Sequence, residues 1–333
     1  MAIDGDDPMQ ISAKQFAAKL LMLATLILAP ITAFATPLVS SAWLSQRLND
    51  DNLVVIDLRN KIDKGSYETF LDGHIPGAIH SDYLTDGWRV GRDGVVGLLP
   101  DAAQFESLAR RLGVSASTHV VIVPAGVSST DFGSSARAYW TFKVYGHENV
   151  SILDGGFADW QTAYPEQIET GPFVAPEAGD FVAQFQSEIY IGTEDVASYV
   201  ANPGEAVLID GRNTSQFYAE AKHPKAEKAG RIPSAILMSQ ADAYADDSNR
   251  LKSRDDLAEI YDNLDDQTIV SYCNTGHWAA TNWFVMSEVL GLDNVRLYDG
   301  SMVEWTANSD LPLDTSAMSN MDKLKKLMGD LLG

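Results

Sequence analysis

The sequence predicts an α/β fold built from two tandem copies of one domain. Short apolar runs rich in Val and Ile alternate with stretches of helical character, a pattern typical of a parallel sheet flanked by helices. Three segments of the first half also recur, in the same order, in the second half. At 333 residues, of which 45% are apolar and 21% charged, the chain is long enough for two globular domains of roughly 150 residues each.

Three pairs of motifs define the duplication. They are LVVIDLRN (53–60) with VLIDGRN (207–213), GHIPGA (73–78) with GRIPSA (230–235), and NVSILDGGFADW (149–160) with NVRLYDGSMVEW (294–305). Asp57 and Asp210 are 153 residues apart, and Asp154 and Asp299 are 145 residues apart. Because three matches recur in order at similar spacing, we infer an internal duplication.

The second copy shows the individual elements most clearly. We predict buried strands at 207–210, 269–272 and 295–298, because each is a short run of apolar residues. A helix is predicted at 279–290, and Gly291 follows it at a position typical of a helix C-cap.

Domain boundaries follow from the motifs and from the composition between them. We place the first domain at 38–168 and the second at 183–312. The connection at 169–182 contains two prolines and two glycines, which favours an exposed linker. The tail at 313–333 has apolar residues at helical spacing, so we predict a terminal packing helix there, or alternatively a partner-binding one.

Residues 1–35 are predicted to be a signal peptide. An apolar run at 16–35 carries two lysines at or before its start, and it ends in Ala33-x-Ala35, the pattern of a cleavage site. The residues before Met9 are acidic, unlike the start of a signal peptide, so we expect Met9 to be the true start. Cleavage after Ala35 would give a periplasmic or secreted protein, whereas an uncleaved run would anchor the chain in the membrane, facing the periplasm.

Charge and cysteine content exclude several classes of function. The formal net charge of −22 disfavours nucleic-acid binding, because a polyanion would be repelled. No stable membrane association is expected once the signal is cleaved. Cys273 is the single cysteine, which excludes an internal disulfide and any zinc site that needs several cysteines. A lone thiol in an exported protein is to be suspected of being reactive.

Cys273 is the strongest candidate for a chemically active residue. It directly follows the strand predicted at 268–272 and precedes a short loop, 274–278, that enters the next helix. Ligands of open α/β sheets bind beyond the carboxyl ends of the strands, where backbone amides at a helix start favour a negative charge. This position would stabilise the thiolate, which is the nucleophilic form of cysteine. Gly276 allows a loop conformation that other residues avoid.

The duplicated motifs resemble those of the two-domain rhodanese sulfurtransferases, and the resemblance covers about residues 38–312. In that family only the C-terminal copy keeps the cysteine. Here the corresponding strand of the first copy ends in Pro124-Ala125-Gly126, so that copy is expected to be catalytically silent and to form one wall of the site.

The resemblance implies a double displacement in which Cys273 takes sulfur from a small donor, thiosulfate or 3-mercaptopyruvate. The resulting persulfide would pass its outer sulfur to a thiophilic acceptor such as cyanide or a thiol, including a thiol on a protein. The loop amides would cradle the persulfide charge; the loop residues are Asn274, Thr275, Gly276, His277 and Trp278. No metal and no organic cofactor are implied.

Several positions depart from the family pattern. The thiosulfate branch has two basic residues after the cysteine, where this chain has Asn274 and Thr275, and the mercaptopyruvate branch fits only through Thr275-Gly276. A substrate arginine of the family falls on Gln216, which should weaken recognition of a sulfonate or carboxylate. The cations that could compensate, or could simply be solvated, are Lys222, Lys225, Lys228 and Arg231.

Other residues carry a functional and a structural interpretation side by side. The family suggests that Arg212 binds an anion or is structural, and that Asp210 holds a loop or a helix end. His277 either donates a hydrogen bond to the persulfide or substrate, or is merely exposed. Trp278 is expected to shape a pocket wall. In the first copy, Asp63 and His74 match positions near the site in the mercaptopyruvate branch, and the structural interpretation is favoured for His74.

Two other functions remain as alternatives to a sulfurtransferase. Phosphatases that share this fold need an arginine at the position of Ala279, which disfavours phosphatase chemistry. A persulfide carrier or sensor that serves a dedicated protein partner would suit the missing cations of the loop. A purely structural binding module would require an inert Cys273.

Overall fold

Two parallel sheets, one in each half of the chain, form the framework of the protein. A computed structural model describes Met1 and residues 35–245, 250–264 and 267–319. Residues 2–34 of the predicted signal peptide and residues 320–333 of the predicted tail helix lie outside the described residues, and the described part of the tail, 313–319, contains no helix. Among the described helices, none is long and apolar enough to cross a membrane.

The first half contains seven strands and five α-helices among its described residues. The strands are β1 (Leu38–Val39), β2 (Leu53–Asp57), β3 (Ile79–His80), β4 (Val90–Arg92), β5 (Val95–Leu98), β6 (His119–Val123) and β7 (Val150–Leu153). The helices are α1 (Ser41–Ser45), α2 (Tyr67–Asp72), α3 (Ala102–Arg111), α4 (Ser129–Val144) and α5 (Gly156–Ala163).

The second half repeats this order with fewer strands. Its described strands are β8 (Val207–Asp210), β9 (Ile236–Leu237), β10 (Ile269–Tyr272) and β11 (Val295–Leu297). Its described α-helices are α6 (Thr193–Ala201), α7 (Thr214–Phe217), α8 (Arg254–Ile260), α9 (His277–Trp283) and α10 (Ser301–Ala307). Two short 3₁₀ helices cover Ser187–Ile189 and Gln240–Ala243.

The two sheets have equivalent topologies. Their strand orders are β1-β7-β6-β2-β3 and β11-β10-β8-β9, and every pairing within them is parallel. Tyr190 bridges to Leu297 where the first sheet has its edge strand β1. The predicted α/β class and the duplication are therefore confirmed.

The helix that follows Cys273 differs from its sequence prediction. It begins at His277, two residues earlier than predicted, and its second part, Phe284–Leu290, is a π-helix. Gly291 ends it with φ of 77°, as the C-cap prediction requires. The early start matters because it brings His277 and Trp278 into the first turn, beside the cysteine.

The connection between the domains runs along the first half without regular structure. Its backbone is nonetheless bonded: the Gly179 amide donates to the Arg110 carbonyl and the Phe181 amide donates to the Val114 carbonyl. The Phe181 side chain is buried, while most other residues of 169–182 are exposed. The linker is thus exposed but docked.

Helix α4 packs against α9 and against the π-helix that continues α9, and these contacts join the two halves. The rings of Tyr139 and Phe284 meet edge to face at 4.9 Å, and the Tyr139 hydroxyl donates to the Glu288 carboxylate at 2.6 Å. Buried residues of both halves belong to one apolar cluster that includes Cys273. This contact places the first half against the loop that carries the cysteine.

Candidate active site

Cys273 lies at the carboxyl end of β10, one residue beyond the last paired residue of the strand. Strand β10 is fully buried and is central in its sheet, between β8 and β11, so the position of Cys273 is rigid. The side chain is 1% exposed, yet it lines a cavity of about 200 Å³. A small ligand can therefore approach a thiol that bulk solvent hardly reaches.

The Ser301 hydroxyl anchors the loop that follows Cys273. Its hydroxyl accepts hydrogen bonds from the amides of Cys273, at 3.0 Å, and Gly276, at 3.1 Å, and donates to the Tyr298 carbonyl at 2.8 Å. Ser301 adopts a positive φ of 50°, which is unusual for a residue other than glycine. The backbone strain at Ser301 is therefore offset by three buried hydrogen bonds.

These bonds change the predicted cradle for a persulfide. The Gly276 amide is committed to Ser301, so it is not available to an anion. The amides of Asn274, Thr275 and His277 have no acceptor among the described residues. The loop can thus still offer donors, from fewer positions than the sequence predicted.

The surroundings of the loop leave no room for a side chain at position 276, so this position requires glycine. Its φ is 68°, and a Cβ there would lie 2.1 Å from Nη1 of Arg137 and 2.9 Å from Cα of Asp299. Arg137 comes from α4 of the first half and is fully buried. Its Nη2 bonds to the Asp299 carboxylate at 3.1 Å, and the same carboxylate accepts from the Leu99 amide.

The cavity around Cys273 has walls from both halves of the chain. The first half contributes Ile62, Arg89 and Thr130, and the second contributes Gln216, His223 and the loop. Gly97 of β5 packs directly on the loop, since a Cβ there would meet the Thr275 side chain at 2.9 Å. The prediction that the first copy forms one wall of the site is therefore consistent with the geometry.

His277 does not act as the anion donor that the sequence suggested as one option, nor is it exposed. Its Nε2 lies 2.8 Å from the Thr130 carbonyl and must donate to it, so Nδ1 accepts from the Tyr83 hydroxyl at 3.2 Å. Burial, with a further contribution from nearby Arg89, lowers the pKa of His277 to about 3. The ring is therefore neutral and fastens the loop to the first half.

Asn274 and Trp278 flank the thiol in different ways. The Asn274 side-chain amide donates to the Gln216 side chain at 3.0 Å, so the residue that replaces the family's arginine is paired with the loop. Trp278 lines the cavity and is partly buried. Its place in the first turn of α9 fits the predicted pocket wall.

Asp210 and Arg212 form a buried pair outside the cavity. Nε and Nη2 of Arg212 bond to the Asp210 carboxylate at 2.9 and 2.7 Å, and Nη2 also reaches the Gly230 carbonyl at 2.8 Å. Asp57 and Arg59 repeat this arrangement in the first half, with the carbonyl of Gly73. Because the first copy, which has no cysteine, keeps the same pair, the geometry supports the structural interpretation of both residues.

The predicted cationic cluster is divided by the fold. Arg231 forms an ion pair with Asp314 and stacks on Phe217, so it is committed to structure. Lys222 and Lys225 lie close enough to His223, at the cavity, to influence its titration. The Nζ of Lys222 donates to the Ala226 carbonyl, and neither lysine lines the cavity itself.

Asp63 and His74 are structural in their surroundings. Asp63 accepts from the Asn60 and Gly65 amides, and burial raises its pKa to about 6. His74 is buried, stacks on Phe70 at 3.8 Å and bonds to the Phe70 carbonyl at 2.8 Å. Neither residue lines the cavity that contains Cys273.

The equivalent position in the first half carries no nucleophile. Pro124 occupies the place of Cys273, and its carbonyl accepts from Phe157 as that of Cys273 accepts from Met302. Among the described residues, no three metal-ligating side chains form a cluster.

The residues that shape the site and that sequence reasoning missed include Arg89, Arg137, His223 and Ser301. Ser301 could have been found, because the motif at 294–305 has Ser301 where the matching motif at 149–160 has Gly156. The others had no local signal, because Arg89 and Arg137 reach the site from the first half and His223 comes from an irregular loop.

Comparison with known proteins agrees with this architecture. The family described as "Rhodanese-like domain" matches twice, at residues 40–163 and 193–308. The chain is 31% identical to 3-mercaptopyruvate sulfurtransferase of Escherichia coli (strain K12) over 286 residues, which is 83% of this chain and 97% of that protein. It is 31% identical to thiosulfate sulfurtransferase of Corynebacterium glutamicum over 291 residues, covering 84% and 90% of the two chains.

The chain is also similar to a sulfur carrier protein and to a solved structure. The sulfur carrier protein TtuD of Thermus thermophilus is 32% identical over 281 residues, covering 80% of this chain and 93% of that protein. The crystal structure of SseA from Escherichia coli, described as having the rhodanese fold, superposes with a TM-score of 0.69 at 29% identity, covering 80% of this chain and 99% of that one. This chain therefore belongs to the rhodanese family of sulfurtransferases, with two rhodanese-like domains in tandem.

Proposed function

We propose that the protein moves sulfane sulfur from a small donor to a thiophilic acceptor through a persulfide on Cys273. The observation that supports this is the thiol at the floor of a cavity of about 200 Å³, beside loop amides that have no acceptor among the described residues. Such donors stabilise a negative charge where it develops. Thiosulfate and 3-mercaptopyruvate are the two donors that the relatives' names support.

The chemistry proceeds in two displacements. The Cys273 thiolate attacks the outer sulfur of thiosulfate, a new S–S bond forms, and sulfite leaves with the electrons of the broken S–S bond. With 3-mercaptopyruvate the C–S bond breaks instead, and pyruvate leaves after it gains a proton. The acceptor then attacks the outer sulfur of the persulfide, so that cyanide becomes thiocyanate and the Cys273 thiolate is restored.

Intact mass after incubation with each donor tests the proposal. The wild-type protein should gain one sulfur atom, and Cys273→Ser should gain none, because no other thiol is present in the chain. Addition of cyanide should return the mass to its starting value and release thiocyanate. No gain with either donor, from a protein whose thiol is shown to be reduced, would refute the small-donor reaction.

A persulfide carrier is the second candidate function. TtuD, a sulfur carrier protein, is among the relatives, and the loop of this chain lacks the basic residues of the thiosulfate branch. A carrier would accept sulfur on Cys273 yet release it slowly to cyanide. Multiple turnovers with cyanide would favour the enzyme, whereas a stable persulfide that transfers only to a protein thiol would favour the carrier.

We also propose that the protein is exported and cleaved after about Ala35. The support is the sequence pattern alone: an apolar run with lysines at its start and Ala33-x-Ala35 at its end. Expression in a Gram-negative host followed by cell fractionation and N-terminal sequencing tests this. A periplasmic product that begins near Thr36 is expected, and an intact N-terminus in the membrane fraction would support the anchor instead.

A further inference from the structure

The cavity around Cys273 contains one arginine, and it comes from the catalytically silent half. Arg89 directly precedes β4 and lines the cavity together with Cys273 and His277. The loop itself carries no cation, and Gln216 bonds to Asn274 where the family pattern has an arginine. The arginine that lines the cavity is thus supplied from across the domain interface.

Arg89 is not committed to a carboxylate. Within the described ranges it forms no ion pair, whereas Arg137 pairs with Asp299 and Arg212 pairs with Asp210. Its guanidinium lies 4.9 Å from the centroid of the Tyr83 ring, and Tyr83 in turn bonds to His277. The aromatic ring orients the cation without neutralising it.

The surroundings of Arg89 are also positive. Arg89 and His223 both line the cavity, and Lys222 and Lys225 flank His223 in the sequence. Burial, together with the charges of Arg89, Lys222 and Lys225, lowers the pKa of His223. In a chain with a formal net charge of −22, an anion needs such a local patch to reach the thiol.

We propose that Arg89 binds the anionic group of the sulfur donor, the sulfonate of thiosulfate or the carboxylate of 3-mercaptopyruvate, and so sets the preference of the site for anions. A guanidinium suits both groups because it can donate two parallel hydrogen bonds to a pair of oxygens. The inference deepens the proposed function and rests on it for the identity of the donor.

Alkylation of Cys273 tests this step without any donor. Iodoacetate carries a carboxylate and iodoacetamide is neutral, so the ratio of their rates, normalised to a free thiol, reports the anion preference of the cavity. We expect Arg89→Gln to lower this ratio at least about tenfold, as loss of a charge-assisted hydrogen bond predicts, with a smaller change in the iodoacetamide rate. The matched control is Arg47→Gln, because Arg47 stacks on Trp43 outside the cavity.

Donor kinetics extend the test. Arg89→Gln should raise KM for thiosulfate at least about tenfold and change kcat less, and Arg89→Lys should recover part of the loss because it keeps the charge. Sulfate should slow the alkylation of Cys273 in the wild-type protein, because it would occupy the cavity beside Arg89, and this protection should be weaker in Arg89→Gln.

An unchanged rate ratio in Arg89→Gln, or protection by sulfate that is as strong in Arg89→Gln as in the wild type, would overturn the role of Arg89. This result is distinguishable from failure of the proposed function, in which the wild-type protein forms no persulfide while its anion preference persists.

Discussion

The Ser301 hydroxyl oxygen lies 3.0 Å from the Cys273 amide nitrogen and, by accepting from Gly276 as well, closes the loop on itself. We expect Ser301→Gly to lower the rate of persulfide formation at least about tenfold, because the loop loses its anchor while glycine tolerates the positive φ. The free energy of unfolding should fall by about 1–3 kcal/mol, since two buried amides lose their acceptor. Intact-mass kinetics and urea denaturation measure the two effects.

If Ser301 only stabilised the fold, Ser301→Gly would lower the free energy of unfolding and leave the rate of persulfide formation unchanged. Ser309→Gly, at an exposed serine, is the control for serine removal. If Ser301→Gly forms the persulfide at the wild-type rate, the hydroxyl does not position the thiol.

Gly276 and Gly77 allow strain and steric conflict to be separated. Both have positive φ, 68° and 74°, but a Cβ at Gly276 would overlap Arg137 while one at Gly77 would meet nothing within 4 Å. Gly77→Ala should cost about 1–2 kcal/mol of unfolding free energy, the cost of the left-handed conformation alone. Gly276→Ala should cost at least about 3 kcal/mol, because Arg137 and the Asp299 backbone must also move. Equal losses in urea denaturation would show that the loop has room for a side chain.

Two arginines make analogous ion pairs across the domain interface with very different burial. Arg137 and Asp299 are both almost fully buried, whereas the side chain of Arg250, which pairs with Asp154, is 43% exposed. Arg137→Met should cost about 3–5 kcal/mol, because it leaves a buried carboxylate without its cation. Arg250→Met should cost less than about 1 kcal/mol, as is usual for solvent-exposed pairs. Thermal and urea unfolding of both variants measure the two losses of unfolding free energy. A larger loss in Arg250→Met than in Arg137→Met would contradict the prediction.

The duplication made much of this fold predictable. Strands β8 and β10 lie where their buried apolar runs predicted them, and Cys273 follows β10 as expected. The lone cysteine at a strand end, before a glycine-containing loop, was sufficient to locate the site because its chemistry depends on local geometry.

The rest of the site depends on contacts that no local pattern encodes. His277 has both ring nitrogens bonded to the first half, at Thr130 and Tyr83, some 147 and 194 residues away. Arg89, which directly precedes β4, lines the cavity from the first half, whose strand β5 packs on the loop at Gly97. Such roles depend on how the two domains dock, which the sequence of either domain alone does not specify.

The burial of His277 predicts a loss of stability in mild acid. Its pKa is about 3 in the folded protein and about 6.5 in the unfolded chain, so protons bind preferentially to the unfolded chain as the pH falls below 6.5. Between pH 6.5 and pH 5 this effect should remove about 2 kcal/mol of unfolding free energy. Asp63 works in the opposite direction, because its pKa is raised to about 6 by burial and its protonation favours the folded state.

Comparison with His277→Gln isolates the histidine, since Asp63 contributes equally to both proteins. The variant should be less stable at pH 7, where the bonds to Thr130 and Tyr83 are disturbed, but its stability should fall by about 2 kcal/mol less than that of the wild type between pH 6.5 and pH 5. Urea denaturation at a series of pH values gives both curves. Parallel curves would mean that His277 has the same pKa in the folded protein as in the unfolded chain, and the buried, neutral, domain-bridging role of this residue would have to be abandoned.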